Sequence, residues 1–374
     1  MWPVSTGWRA ALTGDLTTTV RASVLYEGAE TWTDDGPEIR DLTVRTWLAG
    51  GDRSQICTEA TLTIGDETGG LWTGRWDSPL GWWGHRLHVH VGAVAGRWSE
   101  SMPLGRWRVD AIAPKPGTLR ELRNGKLISG PQEVTLTATD MLSQIADERA
   151  TTPLVPAAGA TVRSEIVRLA AGIVPVSDWV APQPVPASIA YDDRDRLGAV
   201  LQLASVAGLV PVVNRAGALD MIPATGSGGR WIVPMDAQVT VPAWGGSRAG
   251  VVNGHIVTSE SEVQQPLRGQ ALEGAGPLRW GGPFGRVPGF AHQPVLTTNA
   301  ACAASAATLQ RAAQASRRIE LTIEAVADPS VDVLDTAVIE TPARPIEALI
   351  TAISIGLGPS MVVTATVPLE VLYG

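Results

Sequence analysis

Three histidines fall close together at His85, His88 and His90. On a strand the last two share a face at a repeat of about 7 Å, a spacing compatible with gripping one metal ion. A metal centre needs further ligands, and none stands at a convincing spacing, so the simpler reading is a strand face beside Trp82-Trp83. His255 and His292 are isolated, and neither a Gly-x-Ser-x-Gly nor a His-Glu-x-x-His pattern occurs, which leaves a serine hydrolase or zinc protease unsupported. The run Asp192-Asp193-Arg194-Asp195-Arg196 has the composition of a phosphate or metal site, but more simply it places acids at a helix N-terminus. Gly65-Asp66-Glu67-Thr68-Gly69-Gly70 has too few ligands for a calcium loop. Cys57 and Cys302 are too far apart in sequence to suggest a zinc site or disulfide framework and read as buried free thiols. No enzyme is expected, and neither a metal nor a cofactor.

Aromatic residues offer a second chemistry. Trp accounts for 14 of them, against 3 Tyr and 2 Phe, and most of these tryptophans lie before position 110, including Trp72, Trp76, Trp82 and Trp83. Exposed, they would stack on sugar rings; buried, they would fill the cores of a β domain that has almost no Phe. Codon bias favours the second reading, because only Lys115 and Lys126 are lysines while Gly (40) and Pro (27) are plentiful. The most distinctive segment runs from Gly276 to Phe290, GPLRWGGPFGRVPGF, and holds both phenylalanines of the chain. Glycine and proline fix an irregular backbone there, and Trp280, Phe284 and Phe290, with Arg286, could lock it down or contact a neighbour. Whether the segment plugs its own domain or packs on another subunit is open at this level.

The 374 residues suffice for two or three domains, each with its own core. A net charge of −8 argues against a chain whose main task is gripping nucleic acid. The N-terminus lacks a positive region followed by an apolar core, so no signal peptide is expected, and no apolar run is long enough to span a membrane. A soluble protein made in a cytoplasm is the expectation.

The elements that must position these residues follow from periodicity. Runs at 17–26, 42–48, 55–64, 87–91, 107–112 and 134–138 alternate or are β-prone, predicting strands of a sandwich or barrel. The pattern then changes. Short helices are predicted at 140–146, with Asp140 as cap, and at 161–171, with Thr161 as cap, and a clearer one over 194–207. A hairpin follows, 209–213 with 219–222. Strands return at 251–257, an alanine-rich helix capped by Thr297 or Thr298 runs to about Ser316, and strands follow over 317–325, 333–341, 346–355 and 361–372. The predicted fold class is α+β, mainly β: two antiparallel β-barrel domains, 1–138 and 226–374, framing a smaller α/β domain at 139–225.

The opening Trp2-Pro3-Val4-Ser5, the loop from Gly276 to Phe290 and the alanine-rich helix after it resemble the minor tail proteins of actinobacteriophages, which are similar to the tail-tip or baseplate hub family. The segment Pro329 to Ile339 resembles that family's closing barrel strands, though Val333-Leu334-Asp335-Thr336-Ala337 stands where a Gly-Asp turn is commoner. The resemblance implies a homotrimer whose six tube domains form a pseudo-hexameric ring continuing the tail tube. Its implied partners are a distal tail protein ring, receptor-binding, tail-fibre or central plug proteins and the tape-measure protein, with DNA passing through the lumen. It implies a virion tail-tip location after assembly in the host cytoplasm. The hub of a contractile injection system and a carbohydrate-binding or cell-wall-acting protein are the alternatives. The last predicted strand ends near Gly374, so no fused peptidoglycan hydrolase is expected.

Overall fold

The computed structural model describes residues 5–11, 17–34, 38–49, 54–66, 71–115, 119–121, 127–129, 132–186, 189, 191, 194–238, 240, 243–245, 248, 250–259, 266–293, 296–342 and 344–368. Trp2-Pro3-Val4, Lys126, Asp192-Asp193, Glu67-Thr68-Gly69-Gly70 and the end of the predicted last strand lie outside them.

Helix α1 (Thr6–Ala11) precedes the strands β1 (Thr17–Tyr26), β2 (Ala29–Asp34), β3 (Ile39–Ala49), β4 (Gln55–Asp66), β5 (Arg86–Ala95), β6 (Trp98–Lys115), β7 (Leu119–Glu121), β8 (Leu127–Ser129) and β9 (Gln132–Thr139). Helices α2 (Leu142–Asp147), α3 (Val162–Ala170) and α4 (Arg196–Val206) lead to the hairpin β10 (Leu209–Val213) and β11 (Leu219–Pro223). Then come β12 (Arg230–Val233), β13 (Ala243–Gly245), β14 (Gly254–Ser259), β15 (Leu267–Leu272), β16 (Pro288–His292), α5 (Asn299–Ser316), β17 (Arg318–Val326), β18 (Thr336–Ile339), β19 (Ile346–Gly356) and β20 (Ser360–Pro368). The chain divides into two compact units: Met1–Pro242 with Thr322–Ala365, and Ala243–Leu321 with Thr366–Gly374.

In the first unit one twisted sheet runs in the order β17-β20-β19-β3-β4-β9-β6-β5-β1-β2, with β18 antiparallel on β19 and β12 parallel on β18. The strands therefore form an open path, and no closed barrel is found among the described residues. The early and late strands meet where Trp47, Thr46, Arg45, Val44 and Thr43 of β3 pair with Ala352 to Gly356 of β19. Period-2 patterning builds this sheet. On β4, Ile56, Ala60, Leu62 and Ile64 are buried while Cys57, Glu59, Thr61 and Thr63 face the other way, and β9 repeats the pattern with Val134, Leu136 and Ala138. Trp107 takes the place that Phe commonly fills. It is 1 % exposed, donates from Nε1 to the Thr58 hydroxyl at 3.1 Å, and fits because a Cβ at Gly105 would stand 2.6 Å from its ring.

The α/β segment has a core of its own, built on Leu142, Ile145, Ile166, Leu169, Leu203 and Leu219 among others. Thr161 caps α3 as predicted: its hydroxyl accepts from Ser164 N, and the Ser164 hydroxyl accepts from Thr161 N. Asp195 caps α4 by accepting from Gly198 N at 2.9 Å. Asp140 behaves otherwise than predicted. Met141 occupies the cap position of α2, and the Asp140 carboxylate instead accepts from Leu142 N and, at 2.7 Å, from Thr58 N of β4. Burial raises its pKa to about 6.

The second unit is a three-stranded sheet, β15-β14-β16, with β15 antiparallel and β16 parallel to β14, covered on one face by α5. Val257, Cys302 and Ala306 form its buried centre. Helix and sheet touch backbone to backbone at Gly269, where an added Cβ would lie 2.0 Å from Ala303 N. Thr298 caps the helix, accepting from Ala301 N.

Candidate functional site

In the second unit, the loop singled out by sequence is organised around Asn253, which is fully buried. Its side-chain Nδ2 donates to the carbonyls of Leu278 and Gly285, and its Oδ1 accepts from Val287 N. Its own N–H donates to Val287 O, and its carbonyl accepts from Glu273 N. One side chain thus joins both ends of the loop to the sheet. Within the loop, Gly281 N bonds Gly285 O and Gly285 N bonds Gly282 O, a tight turn that sets Gly281 and Gly285 at φ +72° and +94°.

The four predicted contact residues separate into two kinds. Trp280 is half-buried, its ring laid over Gly254 so closely that a Cβ there would approach it to 2.7 Å. Phe284 is half-buried beneath Arg248, whose guanidinium lies 4.5 Å from the ring centroid and donates to the Phe284 carbonyl. These two anchor the loop to its own unit. Arg286 is exposed, and Phe290 is 74 % exposed. Phe290 pairs with Ile256, opposite the face that Ala291 and Val257 turn to α5, and Leu272 shares its side of the sheet. The outward face of this sheet therefore exposes Phe290 and Leu272 beside the polar Arg268 and Gln270.

Below the loop, Glu273 accepts from Gln310, Gln314 and Arg317, all near 3 Å. Burial pushes its carboxyl up, but these donors outweigh that and hold it below its usual range. Arg317 also donates to Val252 O, and His255 Nδ1 meets Gln310 Oε1. Nothing in the sequence marks Asn253, Glu273 or Arg248 as the residues that hold the loop, because each bond partner is a backbone atom or a side chain distant in sequence.

In the first unit the three histidines do not converge. His85 precedes β5, is 1 % exposed, and stacks on Tyr26 with ring centroids 4.7 Å apart. His88 and His90 lie half-buried on the non-core face, opposite Arg106 and Arg21 respectively in the case of His88 and of His90. Burial, then Arg106, His90 and Arg86, lowers the His88 pKa to about 4, and burial with Arg21 and Arg106 lowers that of His90. No group of three potential metal ligands is found among the described residues. Burial, helped by Asp140, pushes the Cys57 thiol up to about 11, which makes it a poor nucleophile.

Residues 71–80, between β4 and β5, form a closed loop. Leu80 N donates to Leu71 O, bringing residues 71 and 80 together, Ser78 N donates to Arg75 O, and the Ser78 hydroxyl accepts from Thr73 N. Asp66 accepts from Leu71 N, and Thr31 Oγ1 donates to Pro79 O. Leu80 and Ser78 are buried, while Trp76 is 71 %, Trp82 48 % and Trp83 39 % exposed. The rings of Trp82 and Trp83 lie 3.7 Å apart. A cavity of about 270 Å³ also opens in this unit, lined by Ile56, Thr58, Trp107 and Val213, with Arg215 paired to Asp332 at 2.9 Å on its wall.

No family model matches the sequence, and no curated protein matches it. The fold does have known counterparts. The structure is similar to the 43 kDa tail protein of prophage MuSo2 from Shewanella oneidensis, with a TM-score of 0.60 at 11 % identity, covering 94 % of this chain and 99 % of that one. It is similar also to a tail protein from Neisseria meningitidis MC58, with a TM-score of 0.57 at 11 % identity, covering 93 % and 96 %. At such identities the likeness is one of fold.

Proposed function

We propose that this chain is a structural protein of a bacteriophage tail, acting as the hub of the tail tip. The observation that carries the reading is the likeness of fold to two tail proteins, one of them from a prophage, along almost the whole of all three chains. In this reading the strand sets of 1–138 and 226–374 are the two tube domains, and 139–225 is the α/β domain between them. Three copies make a ring that continues the tube, joins a distal tail ring to receptor-binding or plug proteins, and lets DNA pass. A net charge of −8 suits a wall past which DNA slides without sticking. No catalytic role is assigned.

The loop residues Arg286 and Phe290 are the proposed subunit contact, with Trp280 and Phe284 holding the backbone that presents them. Mass measurement of the purified chain and electron microscopy of tails carrying it test the reading. Three copies at the tail tip are expected; a protein absent from particles, or present in six copies, would overturn it.

A further inference from the structure

We propose that the stretch 71–83, between β4 and β5, is a carbohydrate-binding site that takes a neutral pyranose oligosaccharide. Trp76 stands at the middle of the closed 71–80 loop, and the Trp82–Trp83 pair follows directly. Three large aromatic side chains exposed within eight residues are too many to be the scattered apolar surface of an ordinary loop. The backbone beneath them is pinned by hydrogen bonds that the Leu80 and Ser78 amides and the Thr31 hydroxyl donate and that Asp66 and the Ser78 hydroxyl accept, so the rings are presented by a built scaffold. Gly81 completes it: a Cβ there would come within 2.5 Å of the buried His85 ring and 2.9 Å of Trp83. Ordering a Trp costs little, since only two side-chain torsions are involved.

The chemistry around the rings favours sugar over an apolar protein face. Between Thr73 and Gly84 the only large apolar side chains that are exposed are the three tryptophans, with no exposed Leu, Ile, Val or Met among them. A pyranose ring offers a face of weakly positive C–H groups that sits on the negative face of an indole, and a rim of hydroxyls. The rim needs planar donors and acceptors, and Arg75 and Asp77 supply both on either side of Trp76. They pair with each other through two hydrogen bonds at 3.1 and 3.2 Å, with side chains 71 % and 46 % exposed, so the patch carries no net charge and selects a neutral ligand. The site stands independently of the tail reading.

The test uses the full chain alone in solution, titrated with three probes: the β-1,4-linked N-acetylglucosamine hexamer, cellohexaose and maltohexaose. A saturable change in tryptophan fluorescence, confirmed by calorimetry, is expected with at least one. Trp76→Ala and Trp82→Ala are expected to weaken it roughly tenfold or more, as loss of a central anchor does, with melting temperatures unchanged because both side chains are exposed. Asp77→Ala is expected to weaken binding less. No saturable response to any probe overturns the proposal, as does equal binding by the Trp variants. Self-association of the wild-type chain that Trp82→Ala abolishes, without a sugar response, assigns the patch to a second copy and likewise overturns it.

Discussion

Asn253 ties three backbone groups with one buried side chain, and its removal has a definite cost. Ala at this position leaves the Leu278 and Gly285 carbonyls and the Val287 N–H without their partner in a site closed to solvent. Asn253→Ala is expected to destabilise the chain by about 3 kcal/mol, read as a fall in the denaturant midpoint, and to raise protease cleavage within 276–290. Two titrating groups act in opposite directions. Unfolded His88 binds a proton near pH 6.5, but the folded chain refuses it until about pH 4, so stability falls as pH drops through that window. Asp140 keeps its proton up to about pH 6 when folded and only to 3.8 when unfolded, so it adds stability as pH falls from 6 to 3.8. Melting temperature measured from pH 7 to 4 should therefore fall less steeply in His88→Gln and more steeply in Asp140→Asn than in the wild type.

Elements record how far a sequence can be read locally. Thr161 and Thr298 are capping residues followed by suitable helix formers and begin helices as predicted, while Asp195, inside the predicted 194–207 helix, proves to be the cap of α4. Alternation on β1, β4 and β9 likewise reports directly which side chains are buried, because only neighbouring residues decide it. Asp140 shows the limit: its sequence context is that of a cap, yet the amide it serves most closely belongs to Thr58, 82 positions away. Strand β2 also escapes local reading, since the turn at Glu27-Gly28 is legible but the return strand AETWTD has few β-branched residues. The loop could be picked out by composition, but not which of its aromatics face outward. Gly269 belongs to this scale too. Gly269→Val would drive a side chain into the backbone of α5 at Cys302 and Ala303, and should destabilise the chain by about 3 kcal/mol in denaturant melts while leaving the first unit's tryptophan environment unchanged.

At the scale of the whole molecule, the tail reading turns on surface that the isolated chain leaves open. Phe290 is exposed and makes no contribution to the Val257–Cys302–Ala306 centre. Phe290→Asp should therefore leave the melting temperature within a degree or two while shifting a trimer toward monomer in sedimentation, since a charge placed in the middle of an apolar contact is costly there and harmless in water. Trp280→Ala, in contrast, should lower stability and assembly together. A trimer that Phe290→Asp leaves intact would mean that this face is not the contact.

The pairing of β3 with β19 has a consequence for how the molecule is made. One edge of β3 has its partner some 300 residues later in the chain, so at 5–20 residues per second a ribosome needs roughly 15–60 s to deliver it. Through that interval Thr43 to Trp47 present unpaired amides and carbonyls, the arrangement that recruits stray strands from other chains. The early sheet must therefore wait, partly formed and adhesive, for its closing strand, and its yield in a cell should depend on the pace of translation and on chaperones that shield one open strand edge.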